Sequence, residues 1–188
     1  TEVEIAFVAE HARQPAHRLT LAVLLKAFQR LGYFPPLEDV PAPVVRHIRN
    51  ELRYRAQVKP APVAPNKRYR YYQRVRAFLQ VRAFADDGLD VAARAMRDAA
   101  AVMDNPADLI NVAIEQLVRD RIELPAFSAL DRLARRIRTL VNGRYFATIA
   151  ERLTVDEKQR LDDLLHVTDP RQKSPLQAIK RLPKRSSL

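Results

Sequence analysis

Apolar side chains return every three or four residues along most of this chain, and prolines interrupt the pattern. Leu21, Leu24, Leu25, Phe28 and Leu31 form the clearest stripe, a spacing that gathers side chains on one face of an α-helix. It predicts a buried helix over 16–31. Pro15 suits its first turn, where a missing N–H costs nothing, and Gly32 suits its end. A shorter helix is expected over 2–12 from Val3, Ile5, Phe7 and Val8. Pro41-Ala-Pro43 can open a third helix, running to about Tyr54, with Val45, Ile48 and Leu52 underneath. Asn66 can cap a helix that reaches about Val81. Asp86-Asp-Gly88 reads as a break, followed by an alanine-rich helix over 89–102. Asn105-Pro106 starts the next helix, with Leu109, Ile110, Ala113, Ile114, Leu117 and Val118 inside. Ser128 can cap a helix with the stripe Leu130, Leu133, Ala134, Ile137, Leu140 and Val141, which Asn142-Gly143 can kink or end. Thr154-Val-Asp-Glu157 reads as a capping box before Leu161, Leu164 and Leu165, and Ser174-Pro175 starts a last short helix.

The fold class expected is all-α. Composition agrees: only three of 188 residues are glycine, whereas 47% are hydrophobic, enough for real cores. The stretch Lys59-Pro-Ala-Pro-Val-Ala-Pro65 reads as a stiff, extended linker. It suggests a first helical module over 1–58, a linker over 59–65 and a second module over 66–152. A C-terminal extension over 153–188 would close on a linker near Lys184-Arg185. In both modules an apolar helix meets an apolar-proline turn and then a helix with one apolar and one cationic face. That order suits two helix-turn-helix-like units.

Charge narrows the function. Lys and Arg number 33 against 22 Asp and Glu, a net charge of +11, and the excess is clustered. Such clustering points to a polyanion partner, although each cationic helix alone would also suit a solvated surface. Arg46, Arg49, Asn50 and Arg53 fall at i, i+3, i+4 and i+7, opposite the stripe of the third helix. Six cations and no acid lie between Lys67 and Arg82; Lys67, Arg70 and Arg74 share a face, with Arg68 beside them. Ser128, Arg132, Arg135, Arg136, Arg138 and Arg144 line the later cationic helix. Arginine can pair with guanine edges and asparagine with adenine edges, and all these groups can bind phosphate. They are the candidate DNA-binding residues. Tyr69, Tyr71 and Tyr72 could stack on bases or serve as core.

Other chemistries find little support. With no cysteine, disulfides and thiolate metal sites are excluded. His11, His17, His47 and His166 lack metal-ligand spacing. Asp86, Asp87 and Asp90 suit a helix start; Asp162 and Asp163 suit an exposed face. No phosphate-cradling glycine loop is present. No cofactor, metal or catalytic residue is expected, nor a small-molecule substrate. No apolar run approaches the roughly 18–20 residues of a membrane span.

Several segments together resemble one family. They are Phe7-Val-Ala-Glu-His-Ala-Arg13, His17-Arg-Leu19, Phe28-Gln-Arg-Leu-Gly-Tyr-Phe-Pro35, Val44-Val-Arg-His-Ile-Arg49 and Asp108-Leu-Ile-Asn-Val-Ala-Ile-Glu115. Glu123-Leu-Pro-Ala-Phe-Ser-Ala-Leu-Asp-Arg132, Leu161-Asp-Asp-Leu-Leu165 and Ser174-Pro-Leu176 follow in order. The chain is similar to the N-terminal region of Tn-three-type transposases, the replicative, cointegrate-forming enzymes of bacteria. The resemblance implies binding of transposon terminal inverted repeats by a cytoplasmic, nucleoid-associated protein. It also implies that metal-dependent catalysis resides in a later region absent from this sequence. Double-stranded DNA is the expected partner, and a second transposase copy is a further one. Thr1 in place of a methionine, and the basic end, suggest a piece of something longer. The alternative is a helical interaction or oligomerisation arm, for which the alanine-rich helix is the best support.

Overall fold

Leu21, Leu24, Leu25 and Phe28 are buried, as their spacing requires. They lie on the second helix of a computed structural model that describes residues 1–166 and 174–179. The described helices are α1 (Glu2–His11), α2 (Pro15–Leu31), α3 (Ala42–Glu51), α4 (Pro65–Leu79), α5 (Leu89–Ala99), α6 (Pro106–Arg119), α7 (Phe127–Arg152), α8 (Val155–Leu165) and α9 (Pro175–Ile179). There is no strand among the described residues, so the fold is all-α. The chain divides into two units, Thr1–Arg138 and Thr139–Leu188.

Helix ends follow local chemistry. Pro15 begins α2, and Gly32 ends it in the left-handed region at φ 76°, where a side chain would be strained. Asn105 accepts from the Ala107 N–H at the start of α6. Thr154 and Glu157 complete their capping box on α8. Other expectations change. Pro65, not Asn66, leads α4, so Asn66 lies inside the helix and gives no side-chain cap. Ser128 lies in the first turn of α7 and not ahead of it. Phe84–Gly88 does not break the chain; it forms a π-helical turn leading straight into α5. Asn142-Gly143 does not end α7, which remains helical to Arg152. Lys184-Arg185 lies outside the described residues.

The proline stretch is not a boundary between two bodies. Ala61 donates its N–H to the Ala16 carbonyl (3.3 Å), and the Thr20 hydroxyl donates to the Ala61 carbonyl (3.1 Å). Val58 and Val63 pack against the core. Beyond it, Tyr71 and Val75 of α4 are buried with Phe7, Val8, Leu21, Leu25 and Ile48 of α1–α3. The Phe78 ring stacks on Phe7 at 4.3 Å. Each such burial is worth about 1.5–3 kcal/mol, so α4 belongs to the first three helices. Proline spacing alone suggested an exposed linker because it carries no information about what lies beneath.

The alanine-rich α5 packs along α6. Ala92, Met96, Ala113 and Leu117 are fully buried, since small side chains let two backbones approach closely. Leu130, Ala134 and Ile137 bury one face of α7. The connector from α6 to α7 is fastened to the first four helices. Leu124 donates its N–H to the Gly32 carbonyl at 2.8 Å. Arg82 and Ile122 form a parallel backbone bridge through the Arg82 N–H to Arg121 carbonyl and Glu123 N–H to Arg82 carbonyl bonds. Arg76 pairs with Glu123 at 2.6 Å and lies over the Phe34 ring, itself stacked on Tyr72.

Glu4 adds a pH-sensitive brace between α1 and α2. Burial alone would raise its pKa, but bonds from Lys26, Gln29 and Thr1 outweigh that and hold it well below an ordinary 4.5. A depressed carboxyl pKa contributes stability that is full above about pH 4.5 and drains as pH falls below it. The contribution is on the order of 1–2 kcal/mol, screened by solvent. Glu4→Gln should therefore flatten the acid limb of a stability-against-pH curve measured by urea unfolding. An unchanged limb would show that Glu4 is not part of it.

Candidate nucleic-acid interface

Helix α3 presents Arg46 and Asn50 to solvent while Ile48 anchors it below. The expected four-residue face is incomplete. Arg49 is half-buried and donates through Nη1 to the Ala56 carbonyl at 2.9 Å, so it braces the turn after α3. That helix ends at Glu51 and not near Tyr54. Arg53 follows in the left-handed region at φ 54°, exposed but off the helical face. His47 is also exposed, at the rim of a hollow between α1, α2 and α3.

Helix α4 carries the densest charge. Lys67, Arg70 and Arg74 share one side, and burial of Tyr71 and Val75 fixes how that side turns. Among the described residues none of the three has a carboxylate partner. Arg74 Nη1 donates to the His11 carbonyl and Arg70 Nε to the Asn66 carbonyl, which leaves most of each guanidinium's donors unused. Arg68 turns the other way, lining a hollow with Glu38, Val63 and Tyr72. Tyr69 is exposed; Tyr71 and Tyr72 are in or against the core. Burial pushes the Tyr71 phenol pKa up, against the pull of Arg74, so it remains a hydroxyl donor at neutral pH.

The first part of α7 divides its cations. Ser128, Arg132 and Arg136 are exposed. Arg135 pairs with Asp131 one turn earlier at 3.0 Å, on the surface. Arg138 turns inward: it pairs with Asp104 and donates to the Ala100 and Met103 carbonyls. It thus ties α7 to the C-terminal end of α5, where a cation suits the exposed carbonyls.

A model of the family described as a domain of unknown function, DUF4158, matches residues 1–137. The chain belongs to this family. The DUF4158 match ends one residue before the first compact unit does, at residue 137 against Arg138. Every candidate residue except Arg138 and Arg144 lies within it, and Arg144 is exposed in the second unit. A transposase for transposon Tn501 from Pseudomonas aeruginosa is 28% identical over 161 residues, covering 81% of this chain. The chain spans 16% of that relative's length.

The DUF4158 fold also brings together residues that no local pattern linked. Arg13 and His17, at the bend between α1 and α2, come beside Lys67 at the start of α4. About fifty positions separate them along the chain. The one available signal was that Pro15 and Pro65 each open a helix with no acid in its first turn. Among the described residues, no three His, Asp or Glu side chains converge in a way that would hold a metal, and no helix is long and apolar enough to cross a membrane.

Proposed function

We propose that this domain binds double-stranded DNA sequence-specifically, at the terminal inverted repeats of a transposon, as the N-terminal part of a longer transposase. The observation that carries the reading is the cationic side of α4: Lys67, Arg70 and Arg74, held on a buried underside and without carboxylate partners among the described residues. Fixed cations of that kind suit phosphates, which set register. Sequence would then be read by exposed groups on two other helices, Arg46 and Asn50 on α3 and Arg132 and Arg136 on α7. The α2–α3 and α6–α7 pairs act in this reading as helix-turn-helix-like units. That the relative is a transposase supports DNA as the partner. Catalysis belongs, in this reading, to the remaining length of the protein.

The test is fluorescence anisotropy at one fixed salt concentration, with a terminal-repeat duplex and a scrambled duplex of the same composition. The repeat should bind more tightly; equal affinities would remove the specificity claim. Arg136→Ala should cost roughly 1–3 kcal/mol on the repeat and little on the scrambled duplex if it reads a base. An equal loss on both would reassign it to phosphate.

A second reading, an oligomerisation arm, draws on the second unit, where Tyr145, Phe146 and Ile149 of α7 are exposed. Light scattering on the same samples decides its standing: self-association unaffected by salt would favour it.

A further inference from the structure

We propose that the cleft between the α1–α2 bend and the first turn of α4 seats one phosphate of the DNA backbone; this rests on the reading of the domain as a duplex binder. The cleft has a volume of about 300 Å³ and is lined by His11, Arg13, Gln14, His17, Lys67 and Tyr71, with no carboxylate in the lining. It has room for a phosphodiester and accompanying water.

Its electrostatics are one-sided. The start of α2 lies at its edge, and the Ala16 and His17 N–H groups there have no acceptor among the described residues. Helices α2 and α4 both begin without an acid in the first turn and without a side-chain cap. Helix α3 begins in the same way, whereas α1, α6 and α8 carry acids there. A helix start of the first kind leaves its positive end for an external anion. Three carbonyls of the α1 end and the bend, which would oppose an anion, are already occupied. His11 O accepts from Arg74, Ala12 O accepts from Arg18 Nε at 2.8 Å, and Phe7 O is paired with the His11 ring. Gln14 Oε1 is paired with His17 Nδ1, so the Gln14 amide N–H₂ is left to donate. Glu10 is the nearby acid, 3.8 Å from His11 and exposed to screening solvent.

Tyr71 is the independent sign of a missing ligand. Its side chain forms a wall of the cleft, the residue is 2% exposed, and its hydroxyl has no hydrogen-bond partner among the described residues. A buried, unsatisfied hydroxyl is costly. Lys67 lies over the same ring, 5.8 Å from its centre, placing an ammonium beside it. Arg13 on one wall and Lys67 on the other would grip a phosphate from two sides, and Arg70 and Arg74 continue the charge along α4.

The experiment uses the whole chain and both duplexes. Arg13→Gln and Lys67→Gln should each lower the slope of log Kd against log salt, and together by about 0.9, the loss of one phosphate contact, and weaken both duplexes equally. Tyr71→Phe should weaken binding without lowering Tm, since a hydroxyl unsatisfied in the free protein contributes nothing to its fold. If the wild type binds duplex and all three variants keep its slope and affinity, the cleft proposal falls and the duplex reading stands. A wild type that binds neither duplex removes that reading and the proposal with it. Inorganic phosphate, followed by amide shifts of residues 11–18 and 67–71, distinguishes the source. Saturation by free phosphate with unchanged variant slopes would overturn the backbone assignment.

Discussion

Raising the salt from 50 to 200 mM should weaken duplex binding by ~10³–10⁵ if about six to ten phosphates are neutralised. The structure limits which cations can contribute. Arg138 is committed to Asp104 and two carbonyls, Arg76 to Glu123, and Arg135 in part to Asp131. Arg46, Arg53, Lys67, Arg68, Arg70, Arg74, Arg132 and Arg136 are at least partly exposed and have no carboxylate partner among the described residues. Those eight fall inside the required range. At about −0.9 per phosphate, they set a limiting slope near −7. An anisotropy titration at four salt concentrations measures it. A slope shallower than about −3 would mean that most of these cations face water and not phosphate, and the electrostatic case for DNA would fail with them.

Glu123→Ala should cost roughly 3 kcal/mol of stability. Glu123 and Arg76 are 18% and 14% exposed and meet at 2.6 Å. Removing the carboxylate leaves a mostly buried guanidinium facing nothing of opposite sign, the main source of the loss. The cation–ring contact to Phe34 would survive but is smaller, about 0.5–2 kcal/mol. The double variant Arg76→Met with Glu123→Leu should recover much of the loss, because an apolar pair of similar volume carries no desolvation penalty. Urea unfolding of the wild type and the two variants measures both results. A loss under about 1 kcal/mol for Glu123→Ala would place the pair among solvated surface bridges. The effect should reach DNA binding as well, since Glu123 lies on the connector that leads into α7 and is paired with Arg76 of α4.

The helices were legible in the sequence where periodicity and caps agreed. Pro15, Gly32, Asn105 and Thr154 all mark ends that the structure keeps, because each acts through its own backbone or its nearest neighbours. The misread places are those where distant contacts decide. Ala61 is held by Thr20, so a segment with linker composition lies on the core. Arg138 looked like the other arginines of its stripe until Asp104 came within reach across the fold. Arg53 fits a helical face by spacing, but α3 stops before it. Of the candidate interface, α4 was the part most readable in advance: a run of six cations without an acid, five of them on this helix, needed no tertiary knowledge. The grouping of Arg13 and His17 with Lys67 needed the fold, since nothing local ties a bend to a helix that begins about fifty residues later.

The anchoring of the proline segment bears on how the protein can be dissected. A fragment cut at residue 58 would lose Tyr71, Val75 and Phe78 from beneath α1 and α2, exposing greasy surface that no solvent-facing helix could cover. Its failure to bind would report collapse of the truncated piece, and would say nothing of which half touches the partner. Dissection should instead keep residues 1–138 whole and proceed by single surface substitutions.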